Sequence, residues 1–219
     1  MIWAATALLL AGCSTFSSPN AGDAPPTTAS PSPSPSPSPS ASPSPSPSPS
    51  PSIDPGTLPQ THTLPHTTDA LFQANVQDLW QAIVTGDPAT AMPFFFPESA
   101  YLQVKAISNP AADYQNRLID WYRLDIQAAH ALLGSQASQA QFVSVTVPTS
   151  QAAWIVPGVE YNKGSYYRVF GARLTYKLGG KTKSIGLFSL ISWRGEWYIV
   201  HLGPSTRSSN RGIVYEPES

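Results

Sequence analysis

Residues 189–203 read SLISWRGEWYIVHLG, and this stretch decides the kind of fold. Apolar and aromatic side chains run on both sides of Arg194-Gly195, a dipeptide that suits a two-residue turn. The stretch therefore predicts a β-hairpin made of two largely buried strands. Its second strand carries one ionisable side chain within an apolar run, His201.

The same two-residue alternation extends upstream as far as Phe142. Turn signals at Pro157-Gly158, Asn162-Lys163-Gly164 and Gly179-Gly180 divide it into short segments. The predicted strands are Phe142–Val147, Ala152–Val156, Ser165–Phe170, Arg173–Leu178, Ser184–Trp193 and Glu196–Leu202. Such a run of short strands joined by tight turns favours an antiparallel sheet.

Helical periodicity precedes the strands. Asp69–Val84 is amphipathic, with Thr68 as the expected N-cap and Gly86 just past its end. The segment from Asn109 to Leu133 is the longest predicted helix. Between the two helices, the sequence from Tyr101 to Ile107 favours a strand. Helices first and antiparallel strands afterwards predict an α+β fold, with the helices on one face of the sheet.

This order of elements and the final hairpin resemble the ketosteroid-isomerase-like cone of the nuclear transport factor superfamily, over about Thr68 to Gly203. The resemblance implies N-terminal helices packed on a curved, mostly antiparallel sheet that encloses a pocket. Members of that superfamily include isomerases, cyclases, dehydratases and non-enzymatic binding modules. The fold alone therefore does not decide the function.

The N-terminus carries a targeting signal. Ile2–Leu10 is apolar but far shorter than the roughly 20 residues that span a bilayer, and it matches the apolar region of a secretory signal. Leu10-Ala11-Gly12-Cys13 resembles the bacterial lipoprotein box. The resemblance implies cleavage after Gly12 and attachment of diacylglycerol, with its palmitate-type chains, to the Cys13 thiol. No Lys or Arg precedes the apolar run, which indicates a start codon assigned too late.

A spacer follows the predicted anchor. Ser30–Ser52 is a near-perfect Ser-Pro repeat, in which proline excludes helix and sheet and favours polyproline II of roughly 70 Å. Ser-Pro tracts of secreted proteins are also O-glycosylation candidates. We therefore expect a signal peptide at 1–12, a lipid-anchored, disordered Ser/Pro-rich spacer at 13–65, and one α+β domain at 66–219. The whole chain looks like lipoproteins of high-GC Gram-positive bacteria with this three-part plan.

Composition excludes several classes of function. All Lys and Arg lie at or beyond Lys105, but their surplus over the acids there is too small for a nucleic-acid binder. Cys13 is the only cysteine, so the chain forms no internal disulfide. His130 and His201 are the only histidines beyond His66, and no phosphate loop, dinucleotide fingerprint, zinc motif or nucleophile elbow occurs. We expect no metal, no cofactor and no nucleic acid.

Asp125 and His201 are the candidate catalytic residues. Asp125 falls inside the apolar arc of the longest helix, where a carboxylate is costly unless it is paired. It is either a structural acceptor, for example from Arg168, or a base in a pocket. With Arg194-Gly195 as the turn, His201 is expected opposite Phe188, on the side of Trp197 and Ile199. It is either a core histidine or the partner of Asp125 in acid–base chemistry.

The candidate ligand-binding residues are Tyr122, Tyr167 and Arg168. Tyr161, Tyr166 and Phe170 are further aromatics that could line a binding face, although aromatic residues are common in strands for packing alone.

The sequence predicts a membrane-tethered lipoprotein on the extracytoplasmic face of the cell membrane. Its domain would be a non-enzymatic module that binds a small molecule, a cell-wall component or an envelope protein. An isomerase- or cyclase-like enzyme using Asp125 and His201 is the first alternative. A structural envelope protein without a ligand is the second.

Overall fold

The computed structural model describes residues 53–218. The predicted signal peptide, the predicted lipidation site Cys13 and the Ser-Pro repeat lie outside these residues. Between 53 and 218, no helix has both the length and the apolar character that crossing a bilayer requires.

Four α-helices occupy the first half of the described chain. They are α1 (Ala70–Thr85), α2 (Glu98–Val104), α3 (Pro110–Asp113) and α4 (Ile119–Leu133). Short 3-10 turns lie at Pro55–Thr57, Pro88–Phe94, Gly134–Gln139 and Thr149–Gln151. The predicted first helix is confirmed as α1, although Asp69 rather than Thr68 is its N-cap residue. Gly86 ends it with φ of 73°, a conformation that glycine adopts without strain.

The prediction of a strand at Tyr101–Ile107 is wrong, because this region begins with helix α2. Pro97 precedes the helix and Glu98 lies in its first turn, where a carboxylate is favourable. Tyr101 and Val104 are three residues apart, so both face the core from one side of the helix. This short aromatic segment is helical because of its tertiary contacts, which outweigh its strand-like composition.

The longest predicted helix is present but is not uniform. Asn109 caps α3 by accepting a hydrogen bond from the Ala112 amide at 3.1 Å. A π-helical turn at Tyr114–Leu118 then joins α3 to α4. A π turn holds an extra residue, so it rotates the residues on its two sides relative to each other.

The second half of the chain forms a six-stranded antiparallel sheet. Its strands are β1 (Gln141–Thr146), β2 (Ala153–Ile155), β3 (Tyr166–Leu178), β4 (Lys181–Trp193), β5 (Glu196–His201) and β6 (Tyr215–Glu218). The long β3–β4 hairpin is central: β1 and β2 pair with β3, and β5 and β6 pair with β4. The predicted α+β class with helices on a curved, mostly antiparallel sheet is confirmed.

Two tight turns set the register of the sheet. Gly179 and Gly180 both have positive φ, of 58° and 76°, as a two-residue hairpin turn of the favoured hand requires. Arg194 and Gly195 also have positive φ, of 52° and 85°, and form the second such turn. Gly171 has φ of 76° but lies within β3, so the two predicted strands on either side of it form one strand.

The core lies between the helices and the sheet. Trp80 of α1 packs against Tyr176 of β3 and Phe142 of β1, with ring centroids 5.7 and 6.1 Å apart. Phe96 meets Trp193 edge to face at 5.9 Å. Burial of each such large side chain stabilises the fold by roughly 1.5–3 kcal/mol. With no cysteine beyond Cys13, this apolar burial is the main source of the domain's stability.

The folded part begins earlier than predicted, since residues 53–62 pack against the end of the β4–β5 hairpin. We call this segment the clasp. The Trp193 indole donates to the Pro55 carbonyl at 2.9 Å, and the Gln60 amide donates to the Ser192 carbonyl at 2.9 Å. Gly56 is buried, and a Cβ there would lie 2.8 Å from the Ala100 nitrogen. The boundary predicted at 65/66 is therefore corrected to a position before residue 54.

Candidate functional site

A cavity of about 240 Å³ lies between the helices and the sheet. Its walls come from the C-terminal end of α2, the π turn, the loop of residues 156–164, and strands β3, β4 and β5. Ser205, which follows β5, completes the wall. Seven segments of the chain therefore meet at this cavity.

One wall is aromatic and apolar. Tyr166, Arg168 and Phe170 alternate along β3, so all three point into the cavity. Their neighbours on β4 are Ile191 and Ser189, which pair with Arg168 and Phe170. The result is a surface that can pack against a planar or branched apolar group.

Three cations also line the cavity. They are Lys105, Arg117 and Arg168, and Arg168 lies on β3 between Tyr166 and Phe170. Arg117 is bound bidentately by Asp113, with both N···O distances at 2.6 Å, and Arg168 forms an ion pair with Glu160.

Lys105 differs from the two arginines. Its ammonium donates only to the Glu160 backbone carbonyl, at 3.1 Å, and within residues 53–218 it has no carboxylate partner. The cavity therefore holds one cation that is not neutralised.

A buried asparagine builds the loop that brings Glu160 to Lys105. The Asn162 side chain donates to the Val156 and Gly164 carbonyls at 3.0 and 2.8 Å, and it accepts from the Glu160 amide at 2.8 Å. The loop is joined to the end of α2 by a bridge between Lys105 and Asn162. Side-chain and backbone hydrogen bonds thus fix the position of the charged groups.

Burial and the positive charges around the cavity lower the pKa of two side chains that line it, Lys105 and His201. Burial, followed by repulsion from Arg117, lowers the pKa of Lys105 below its usual value. Burial, followed by repulsion from Arg117, Arg207 and Lys105, lowers the pKa of His201 to about 3. His201 is therefore a neutral imidazole at neutral pH, whereas an anion in the cavity would be stabilised.

Asp125 does not face the cavity, so its prediction as a catalytic base is corrected. Its carboxylate is buried and accepts four hydrogen bonds: two from the Arg207 guanidinium at 2.7 and 2.9 Å, and one each from the Gly203 and Ile213 amides at 2.8 and 2.9 Å. The structural interpretation was right, but its partner is Arg207, not Arg168. Asp125 holds residues 203–213 against α4.

His201 does line the cavity, but its predicted register is wrong. Leu190 pairs with Ile199, whereas Ser189 pairs with His201, so Val200 is an extra residue in β5. This bulge places His201 on the cavity face, opposite to the face of Trp197 and Ile199. The Phe188 ring remains a neighbour, 6.3 Å away and edge to face. His201 and Asp125 therefore do not form a pair in one pocket.

The three predicted ligand-binding residues are separated by the fold. Arg168 lines the cavity. Tyr122 is buried in the core, where its hydroxyl donates to the Ala91 carbonyl at 2.9 Å. Tyr167 lies on the other face of β3, where it packs against Trp154 at 4.8 Å and His62 at 5.4 Å. Tyr122 and Tyr167 therefore do not line the cavity.

Sequence reasoning missed Lys105, Arg117 and Glu160. Two signals were available: Lys105 is the first cation of the chain and follows an apolar residue, and Glu160 is the only acid between Asp125 and Glu196. Within residues 53–218, no three His, Cys, Asp or Glu side chains are close enough to hold a metal ion.

The buried Asp125–Arg207 pair predicts strong thermodynamic coupling. We expect Asp125→Asn to lower the free energy of unfolding of the full chain by about 3–5 kcal/mol, because it leaves the Arg207 charge buried and unpaired. Adding Arg207→Met should recover part of this loss, since it removes that charge. Urea unfolding followed by tryptophan fluorescence measures both values.

Asp120→Asn on the same helix is the control for that comparison. Asp120 has no ion pair among the described residues, so we expect a change of about 0.5 kcal/mol or less. Equal losses for Asp120→Asn and Asp125→Asn would contradict the role given to the pair.

His201 predicts a pH dependence of stability. Its pKa is about 3 in the folded protein against an ordinary 6.5, so between these values the unfolded chain binds more protons. Neutral His201 makes its full contribution to the free energy of unfolding above pH 6.5. This contribution is lost as the pH falls, by up to about 1.4 kcal/mol per pH unit. As the pH falls from 7.5 to 5, we expect the free energy of unfolding of His201→Gln to rise relative to that of the unsubstituted chain. An unfolding free-energy difference that stays constant over this range would refute the assignment.

No protein-family model, curated protein or solved structure matches this chain. The resemblance to the ketosteroid-isomerase-like cone stays a prediction that depends on the order of the elements and on the final hairpin. The chemistry of the cavity is therefore the basis on which a function can be argued.

Proposed function

We propose that this protein is a membrane-tethered, extracytoplasmic lipoprotein whose domain binds a small molecule of the cell envelope without converting it. The cavity carries this proposal. It combines aromatic side chains on β3 and β4 with three cations, Lys105, Arg117 and Arg168. An apolar surface with a few convergent polar groups is typical of a ligand site.

The enzymatic alternative is less well supported because its base is missing. A general base must reach the proton that it removes, at about 2.6–3.2 Å or through one water molecule. Asp125 is enclosed by Gly203, Arg207 and Ile213 and uses its oxygens on them. Of the two predicted catalytic residues, only His201 lines the cavity, and its low pKa makes the imidazole a poor proton acceptor.

The alternative of a structural protein without a ligand leaves the cavity unexplained. Three cations and two carboxylates gather around it, and holding charges in a half-buried site costs free energy. A purely structural domain would be more stable with apolar residues at these positions. A ligand that binds to these charged groups would account for their presence around the cavity.

Filling the cavity should abolish ligand binding. Ser189 is buried and lines the cavity, so the ring of Ser189→Phe would occupy the ligand's space. We expect benzoate, benzamide or phenol to shift the amide resonances of Ser189 and His201 in the full chain, measured by NMR titration. The shifts should be lost in Ser189→Phe.

Val143→Phe is the matched control, since Val143 is exposed on β1 and does not line the cavity. It should leave the binding shifts unchanged. If none of the three compounds moves the cavity resonances of the unsubstituted chain, the proposed binding module is contradicted.

The anchor has its own test. We expect Cys13→Ser to move the protein from the membrane fraction to the soluble fraction, because the lipid chains have no other attachment site. Ser17→Ala, which keeps the cysteine, should leave it in the membrane fraction. A Cys13→Ser protein that still sediments with membranes would argue against lipidation.

A further inference from the structure

We infer that the ligand of this cavity is a small organic monoanion: one carboxylate held by Lys105, attached to an aromatic or branched apolar group that packs on β3 and β4. This inference depends on the proposed binding function and specifies the ligand class. It follows from unpaired donors, from the balance of charge and from the composition of the walls.

Lys105 supplies unused donors. An ammonium group has three N–H donors, and within residues 53–218 Lys105 uses one, on the Glu160 carbonyl at 3.1 Å. Lys105 is half-buried, so an acceptor that reaches its two free N–H donors from the cavity would form charge-assisted hydrogen bonds.

The charges around the cavity favour one negative charge on the ligand. Lys105, Arg117 and Arg168 are opposed by Asp113 and Glu160, which leaves one positive charge in excess. A monoanion neutralises this excess. A dianion such as a phosphate monoester would add a negative charge beside the Glu160 carboxylate, so it should bind less well.

The rest of the ligand must be small and apolar. The cavity volume of about 240 Å³ lies below the roughly 300–1,000 Å³ of pockets for drug-sized ligands. Tyr166, Phe170 and Ile191 line the cavity beside the basic groups. Aromatic faces of this kind pack against rings and branched chains.

The experiment compares benzoate with benzamide, benzylamine and phenyl phosphate, by NMR titration of the full chain. Benzoate and benzamide have nearly the same shape but differ in charge. We expect benzoate to bind at least about tenfold more tightly than benzamide, because a hydrogen bond to a charged group is worth roughly that factor or more. Benzylamine, which is a cation, and phenyl phosphate, which is a dianion, should both bind more weakly than benzoate.

Variants of Lys105 locate the contact. Lys105→Met keeps most of the apolar stem and should weaken benzoate roughly 10- to 100-fold while leaving benzamide within about twofold. Lys105→Arg keeps the charge and should retain most of the benzoate affinity. Lys163→Met is the matched control: Lys163 is exposed in the loop of residues 156–164 and does not line the cavity, so both affinities should stay unchanged.

Each contrary result refutes a different claim: the charge of the ligand, the role of Lys105, or binding in the cavity. Equal affinity for benzoate and benzamide, or tighter binding of phenyl phosphate, refutes the monoanion while the binding module stands. A benzoate preference that survives Lys105→Met refutes the role of Lys105. Failure of all four compounds to bind refutes this inference, and it refutes the proposed function as well if phenol also fails to bind. The comparison within the unsubstituted chain holds even if Lys105→Met does not fold.

Discussion

The burial of Asp125 is the constraint on which the arrangement of the C-terminal half depends. A carboxylate inside a helix–sheet core must have its lone pairs filled, and α4 itself offers it no donors. The chain meets this need by returning residues 203–213 across α4, where Arg207 and two amides bind the carboxylate. Gly203 is required at this approach, because a Cβ there would lie 2.7 Å from the Asp125 oxygen.

The segment of residues 203–213 also brings the buried Asp125–Arg207 pair close to the cavity. The Arg207 guanidinium lies 4.3 Å from the centre of the Trp121 ring, and Arg117 lies 5.1 Å from it. Trp121 thus contacts two cations, one bound to Asp125 in the core and one bound to Asp113 at the cavity. Each cation keeps its own carboxylate, so the positive charge that the cavity leaves without a counter-ion is that of Lys105 and not that of an arginine.

The fold was predictable from the sequence where a local signal specifies one conformation. The glycine pair at 179–180 and the Arg194-Gly195 turn fixed the hairpins, and period-two alternation identified the strands that they join. The site was not predictable, because local irregularities position it. The extra residue at Val200 turns His201 to the other face, and the π turn places Arg117 where a constant helical period cannot. The role of Asp125 was open for a related reason: Arg207 lies 82 residues away in the chain.

The clasp has a mechanical consequence. Tension applied to the chain ahead of residue 53 would reach the domain through this segment, first at Pro55, which accepts from Trp193, and then at Gln60, which contacts both Ser192 and Arg194. The cavity residues all follow the clasp in the chain, so a pull from the N-terminal side would load the clasp before the strands of the ligand site.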